Sequence, residues 1–333
     1  MRRLLFASLA LLLVAAAPAA AETKLRVTLQ LPIMSHLGQN LVRFKELVEA
    51  ASDGEMVVEI YPSAQLFTDK EVPIAVASGQ IEMGTASLAR FAGTIPAVDI
   101  FNVPFLLNTH ELMRRATAPG STVRGPIDQA MIDKGARPLW WQPYGLMVLF
   151  MRDAVVRRPE DLKGLKIRTP GKAFEAFVNL LGGAATNISG SRQYLAYERG
   201  TVDGGTTGLI GVRERKLYQV LDKLILTNQS GLEFVVIINE RFWQGLDESQ
   251  RAILTQAARA AEAELRDGIV AQEAEAYEIA LANGMDIYEL TAEDVAAWRA
   301  ATLPLEDTYV AAAGPLGAQL LAAAKAIRAA GGD

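Results

Sequence analysis

The 333-residue chain has no cysteine and only two histidines, His36 and His110. Without thiols there are no disulfides, no cysteine nucleophile and no thiolate metal site. Neither histidine has a second ligand at metal-binding spacing, so a zinc centre is excluded as well. The sequence also lacks a Gly-x-Ser-x-Gly elbow, a Gly-x-Gly-x-x-Gly fingerprint and a Walker loop. Carboxylates are plentiful, at 38 Asp and Glu, but no pattern marks a pair of them for acid–base work. These absences predict a protein that is not an enzyme and carries no metal or cofactor.

A basic surplus is missing too. The formal charge is −5, which makes nucleic acid a poor partner, although a local arginine pocket can still hold an anion. Long apolar runs are confined to one place, Leu4 to Val14, between Arg2-Arg3 and Ala19-Ala20-Ala21. That order is a secretory signal with cleavage after Ala21, so residues 1–21 read as a signal peptide. Arg2-Arg3 also allows a twin-arginine route, but the flanking residues suit it poorly. Its removal takes the basic residues from 33 to 31 against 38 acidic ones and the charge from −5 to −7. The expected mature chain is soluble, periplasmic and held together by core burial alone.

Periodicity then supplies the architecture. A strand from Lys24 to Gln30, a helix from Ser35 to Ala51, a strand from Met56 to Tyr61, a helix near 69–78 and a strand from Ile81 to Thr85 alternate as in a parallel α/β sheet. Trp140 to Met151 reads as two strand pieces with a bend at Pro143 and Gly145, a crossing between domains. Alternation resumes with the strand carrying Arg168, a helix over 173–181, a strand over 184–188 and a helix over 191–199. Phe234 to Asn239 is a strand suited to returning the chain to the first domain. Residues 247–282 repeat apolar positions in four-residue steps, a helix roughly 50 Å long that would run along both lobes. From Thr291 onward the chain is helical, with a turn near Gly314-Pro315.

Arg168 ends a short strand that Thr169-Pro170-Gly171 stops at once. Alternation sends it to the face opposite Leu165 and Ile167, at a strand tip, where α/β proteins bind ligands. A guanidinium there can meet a carboxylate with two parallel hydrogen bonds, or serve as a structural ion pair.

The phrases YPSAQLFTDKE (61–71), SGQIEMG (78–84), VPFLL (103–107), RPEDLKGLKIRTPG (158–171) and YLAYERGTVDGG (194–205) occur in that order. Together with KLYQVLDKLILT and INERFWQGLDESQRAIL they resemble the substrate-binding subunits of tripartite ATP-independent periplasmic (TRAP) transporters, dicarboxylate type. The resemblance implies an α/β, two-lobe periplasmic binding protein fold (type II-like) with crossing strands and a long bridging helix. Lobe I would comprise 22–146 with 233–268, and lobe II 147–232 with 269–333 and the C-terminal helices. It also implies a monomer that captures a small carboxylate by cleft closure and hands it to small and large membrane subunits. A binding protein for another transporter type or a sensor, and a periplasmic enzyme on a small acid, are the competing readings.

The resemblance places the carboxylate-pairing arginine at Arg168. A second arginine expected on the crossing strand is replaced by Val148, a stacking aromatic by Gly190, and an asparagine by Thr207; these changes weigh against sialic-acid-like and large polyhydroxy ligands. Gln30, Asp69, Ser87 and Arg90 match positions facing the cleft from the first lobe. Trp141 and Tyr144 are further candidates, with Trp140 as the alternative to Trp141. A tryptophan ring in the cleft would favour a compact, partly apolar monocarboxylate. The two histidines are expected at a helix start or in a loop.

Overall fold

In the computed structural model, residues 22–331 are described, so the expected signal peptide lies outside the described residues. The elements are β1 (Thr23–Thr28), α1 (His36–Ala51), β2 (Met56–Tyr61), α2 (Val72–Ala77), β3 (Met83–Ser87), α3 (His110–Thr117), α4 (Arg124–Ile132), β4 (Ala136–Met151), β5 (Lys166–Thr169), α5 (Lys172–Leu180), β6 (Ala184–Asn187), α6 (Gln193–Glu198), β7 (Gly204–Gly208), α7 (Gly211–Glu214), β8 (Lys223–Leu226), β9 (Gly231–Asn239), α8 (Glu240–Gly245), α9 (Glu248–Ala282), β10 (Asp286–Glu289), α10 (Ala292–Thr302) and α11 (Pro304–Gly331).

The strand order β2-β1-β3-β9-β4-β7-β5-β6 is continuous, with β8 joining β4 to β10. β4 makes it continuous because it belongs to both lobes. From Ala136 to Leu146 it pairs antiparallel with β9, and from Met147 onward it pairs with β7 and β8. The change of partner coincides with a register shift between Pro143 and Leu146, where Gly145 has φ +87°. Glu273 explains the glycine: its carboxylate sits where a Cβ would go and accepts from the Leu146 N–H at 2.5 Å. The bend read from Pro143 and Gly145 is therefore a strand handed from one sheet to the other.

α9 runs unbroken for 35 residues, started by a capping box between Asp247 and Gln250. Its Ala257, Ala258 and Ala261 pack in the first-lobe core with Trp140 and Phe44, while Ala276 and Ala280 pack with Phe150 and Leu224 of the second. The long helix bridges both lobes, as expected. α2 is shorter than its predicted span because Asp69 is drawn into the cleft by Arg90 and Ser189, and Pro73 settles the first helical turn after it. In α11, Tyr309, Leu320 and Ala324 join the core formed by Phe101, Val98 and Met113. That helix, expected with the second lobe, docks on the first, and Gly314 (φ 63°, ψ −148°) kinks it where the turn was expected.

Candidate functional site

On β5 Lys166 is exposed, Ile167 is in the core with Leu162 and Phe177, and Arg168, on the face opposite Ile167, is 2% exposed. Its Nε and Nη2 donate to the Ile188 carbonyl at 3.0 and 2.8 Å, and Nη1 donates to the Thr206 carbonyl at 3.0 Å. A guanidinium has five N–H groups, so these bonds leave one on each terminal nitrogen. One remaining N–H on each terminal nitrogen is available to the two oxygens of a carboxylate. Burial pushes the Arg168 pKa down to about 10; the charges of Arg90 and Arg215 add to this, and Tyr197 and Asp69 oppose it. The group stays cationic at neutral pH, in a place that favours a counter-anion.

The facing wall comes from the first lobe. Arg90 donates through Nε to Asp69 at 2.5 Å and reaches across the cleft with Nη1 to Asn187 at 2.9 Å. The other Asp69 oxygen accepts from the Ser189 hydroxyl. Burial alone would raise the Asp69 carboxyl, but Arg90 and these hydrogen bonds hold it below its ordinary value. Lys70 Nζ adds a bond to the Asn187 carbonyl at 2.9 Å. The lobes are thus tied directly together, and the cleft is closed.

Between them lies a narrow cavity lined by Gln30, Asp69, Ser87, Arg90, Tyr144, Arg168 and Thr207, seven of the eight residues expected from the sequence. Its volume is about 270 Å³. Pro170, Gly190, Gln193, Arg215, Leu232 and Phe234 complete the lining. Three arginines face one acid, and that acid is already paired. Three buried polar atoms in this lining, Tyr144 Oη, Gln193 Nε2 and Arg215 Nε, have no hydrogen-bond partner among the described residues. Buried polar atoms are normally satisfied, so these three are open to the polar groups of a bound molecule.

Trp141 corrects the expectation. Alternation sends the two tryptophans to opposite faces of the first-lobe sheet, and each face is covered by a helix. Trp141 packs edge-on to Phe101 at 5.4 Å, donates to Asp128 at 2.9 Å and lies under the Arg124 guanidinium. Trp140 packs on Phe44 at 4.5 Å and donates to Asn40 at 2.8 Å. Neither lines the cavity, whose apolar area comes instead from Pro170, Leu232 and Phe234. Val148 is likewise buried in the second-lobe core.

Arg215, Gln193 and Phe234 were not singled out from the sequence. Arg215 sits in the run Arg213-Glu214-Arg215-Lys216, which has the look of a solvated charged turn; no local pattern distinguishes the one that turns inward. Both histidines begin helices, as expected. The His36 ring lies 3.2 Å from the Pro143 carbonyl and 3.3 Å from Glu214, and the His110 ring 2.7 Å from Glu273. A larger, mostly apolar cavity of about 680 Å³ separates α5 from α11 and residues 96–104. None of the unsatisfied buried donors lines it, so the cavity at Arg168 is the better candidate.

Two α/β lobes sharing a strand and a long helix, closed over a cationic cavity, have the architecture of a solute receptor. Residues 30–312 match the model of the bacterial extracellular solute-binding proteins, family 7 (DctP), and the chain belongs to that family. It is 29% identical over 297 residues to the C4-dicarboxylate-binding periplasmic protein DctP of Rhodobacter capsulatus, covering 87% of this chain and 86% of that one. It is 28% identical to the sialic acid-binding periplasmic protein SiaP of Vibrio cholerae, covering 77% and 83%. Its fold matches a TRAP periplasmic solute-binding protein of Sulfurospirillum deleyianum with bound succinate, at TM-score 0.85 and 24% identity, over 92% of this chain and 100% of that one. A similar match is to the protein of Desulfovibrio salexigens with bound orotic acid, at TM-score 0.86 and 23% identity, over 92% and 99%.

Proposed function

We propose that this chain captures a small organic acid in the periplasm and delivers it to the membrane subunits of a TRAP transporter. The observation that carries the reading is the Arg168 guanidinium: buried, fixed by two backbone carbonyls and left with one N–H on each terminal nitrogen facing a narrow cavity. Arg168 and Thr207 hold the acid from the second lobe. Gln30, Asp69, Ser87 and Arg90 close over it from the first, and Tyr144 meets it where the strand changes lobes. Trp141 is not a ligand contact.

Lobe I comprises 22–146 with 233–268 and carries α11 on its surface; lobe II comprises 147–232 with 269–303. Residues 1–21 are removed on export, and the mature protein acts as a monomer that binds without turning its ligand over. The acids bound by the relatives support this class of ligand. Calorimetric titration with matched mono- and dicarboxylates of three to six carbons tests it, with N-terminal sequencing of the exported protein expected to begin at Glu22. Binding of none of these acids, or an intact Met1, argues against the respective part.

A further inference from the structure

We propose that Arg215 sets the specificity of this site: it holds a second acceptor group of the ligand, at the end of the cavity that borders the outer pocket. The inference rests on the reading of Arg168 as the carboxylate anchor. Gln30, Gly190 and Arg215 line both the closed cavity and a wider, open pocket outside it, whereas Arg168 lines only the closed one. Arg215 therefore stands in the wall between the two. It is held there by Nη1 donating to the Gly190 carbonyl at 2.7 Å and by Nη2 at 3.5 Å from Gln30 Oε1. Its Nε is buried without a partner.

The fully buried Tyr144 hydroxyl lies close enough to the same guanidinium to feel its charge, but the two are not aligned as a hydrogen bond and the hydroxyl has no partner in good geometry. Glu214 next door makes no ion pair with Arg215: its Oε1 is engaged by Arg213 at 2.8 Å and by the His36 backbone N–H at 3.1 Å, and its Oε2 has no hydrogen-bond partner among the described residues. Gly190 makes the placement possible. A Cβ there would lie 3.0 Å from Arg215 Nη2 and would collide with Gln30 Oε1. The absent side chain at 190 and the inward arginine at 215 are thus one arrangement.

An acid with one carboxylate leaves Arg215 Nε and the Tyr144 hydroxyl unsatisfied in a closed cleft. A dicarboxylate, or an acid with an equally placed oxygen acceptor, satisfies both ends. The probes are four matched pairs: malonate and propionate, succinate and butyrate, glutarate and valerate, adipate and hexanoate. In calorimetry the wild-type protein is expected to favour the dicarboxylate of its best pair by at least about tenfold. Arg215→Gln is expected to weaken that dicarboxylate by about thirtyfold or more and the monocarboxylate by less than about threefold. Arg215→Lys, which keeps the charge but loses the guanidinium's bonds, should recover only part of the selectivity and serves if Arg215→Gln does not fold. Equal affinity for both members of every pair, or equal weakening of both by the variants, overturns the role of Arg215 and leaves the Arg168 reading standing. Failure of all eight acids to bind the wild type overturns the Arg168 reading itself.

Discussion

Gly171 of the second lobe sits so close to Ala89 of the first that a Cβ added at 171 would lie 2.8 Å from the Ala89 Cβ and 3.1 Å from its carbonyl oxygen. The contact forms where the turn after Arg168 meets the segment before Arg90, so it exists only with the lobes together. It converts the closed geometry into something measurable.

Gly171→Ala should weaken ligand binding without touching the ligand. Overpacking a tight contact typically costs about 1–3 kcal/mol, here in the closed state alone, which corresponds to an affinity loss of about fivefold to a hundredfold. Small-angle scattering at equal ligand concentration should show a larger radius of gyration than wild type. Unchanged affinity would mean that the lobes do not close through this contact.

Trp141→Phe should lower stability by about 1–3 kcal/mol through the lost Asp128 hydrogen bond and the smaller ring, and leave affinity within about twofold. Thermal melting and titration of the same sample separate the two effects. A large affinity loss at wild-type stability would return Trp141 to the cleft.

How much of this was legible depends on how local each signal is. The βαβ alternation, the capped long helix and the bend at Gly145 are written in neighbouring residues, and they appear where the periodicity puts them. Arg168 was legible for the same reason, since four residues of alternation and a Thr-Pro-Gly stop fix its face. Trp141 was misplaced because alternation tells that two adjacent rings face opposite ways, but not that helices cover both faces. Arg215 was missed because its inward turn depends on an empty space at Gly190, 25 residues away in sequence and on another element. The docking of α11 on the first lobe is non-local in the same sense.

Asp99 gives a pH test of the apolar cavity beside α11. Burial pushes its carboxyl up to about 6 from an ordinary 3.8, with Asn102 and Lys172 opposing. A folded pKa above the unfolded one means that its contribution to stability is fully present below about pH 4 and is lost as pH rises through about 6. Asp99→Asn carries no such charge. Relative to wild type the variant should therefore gain about 1–2 kcal/mol between pH 4 and 7.5, measured by denaturant melts at both values. A stability difference that does not change with pH would contradict the burial of this carboxylate.

If Arg168 holds a carboxylate, titration of wild type and Arg168→Gln with the acid that binds wild type best reads the strength of that contact. The expected affinity loss is about thirtyfold to a few thousandfold, because the carboxylate loses its charged partner in a closed cavity. Arg168→Lys should recover only part of it, since an ammonium lacks the fork. Wild-type affinity in Arg168→Gln, with the protein folded, would contradict the account.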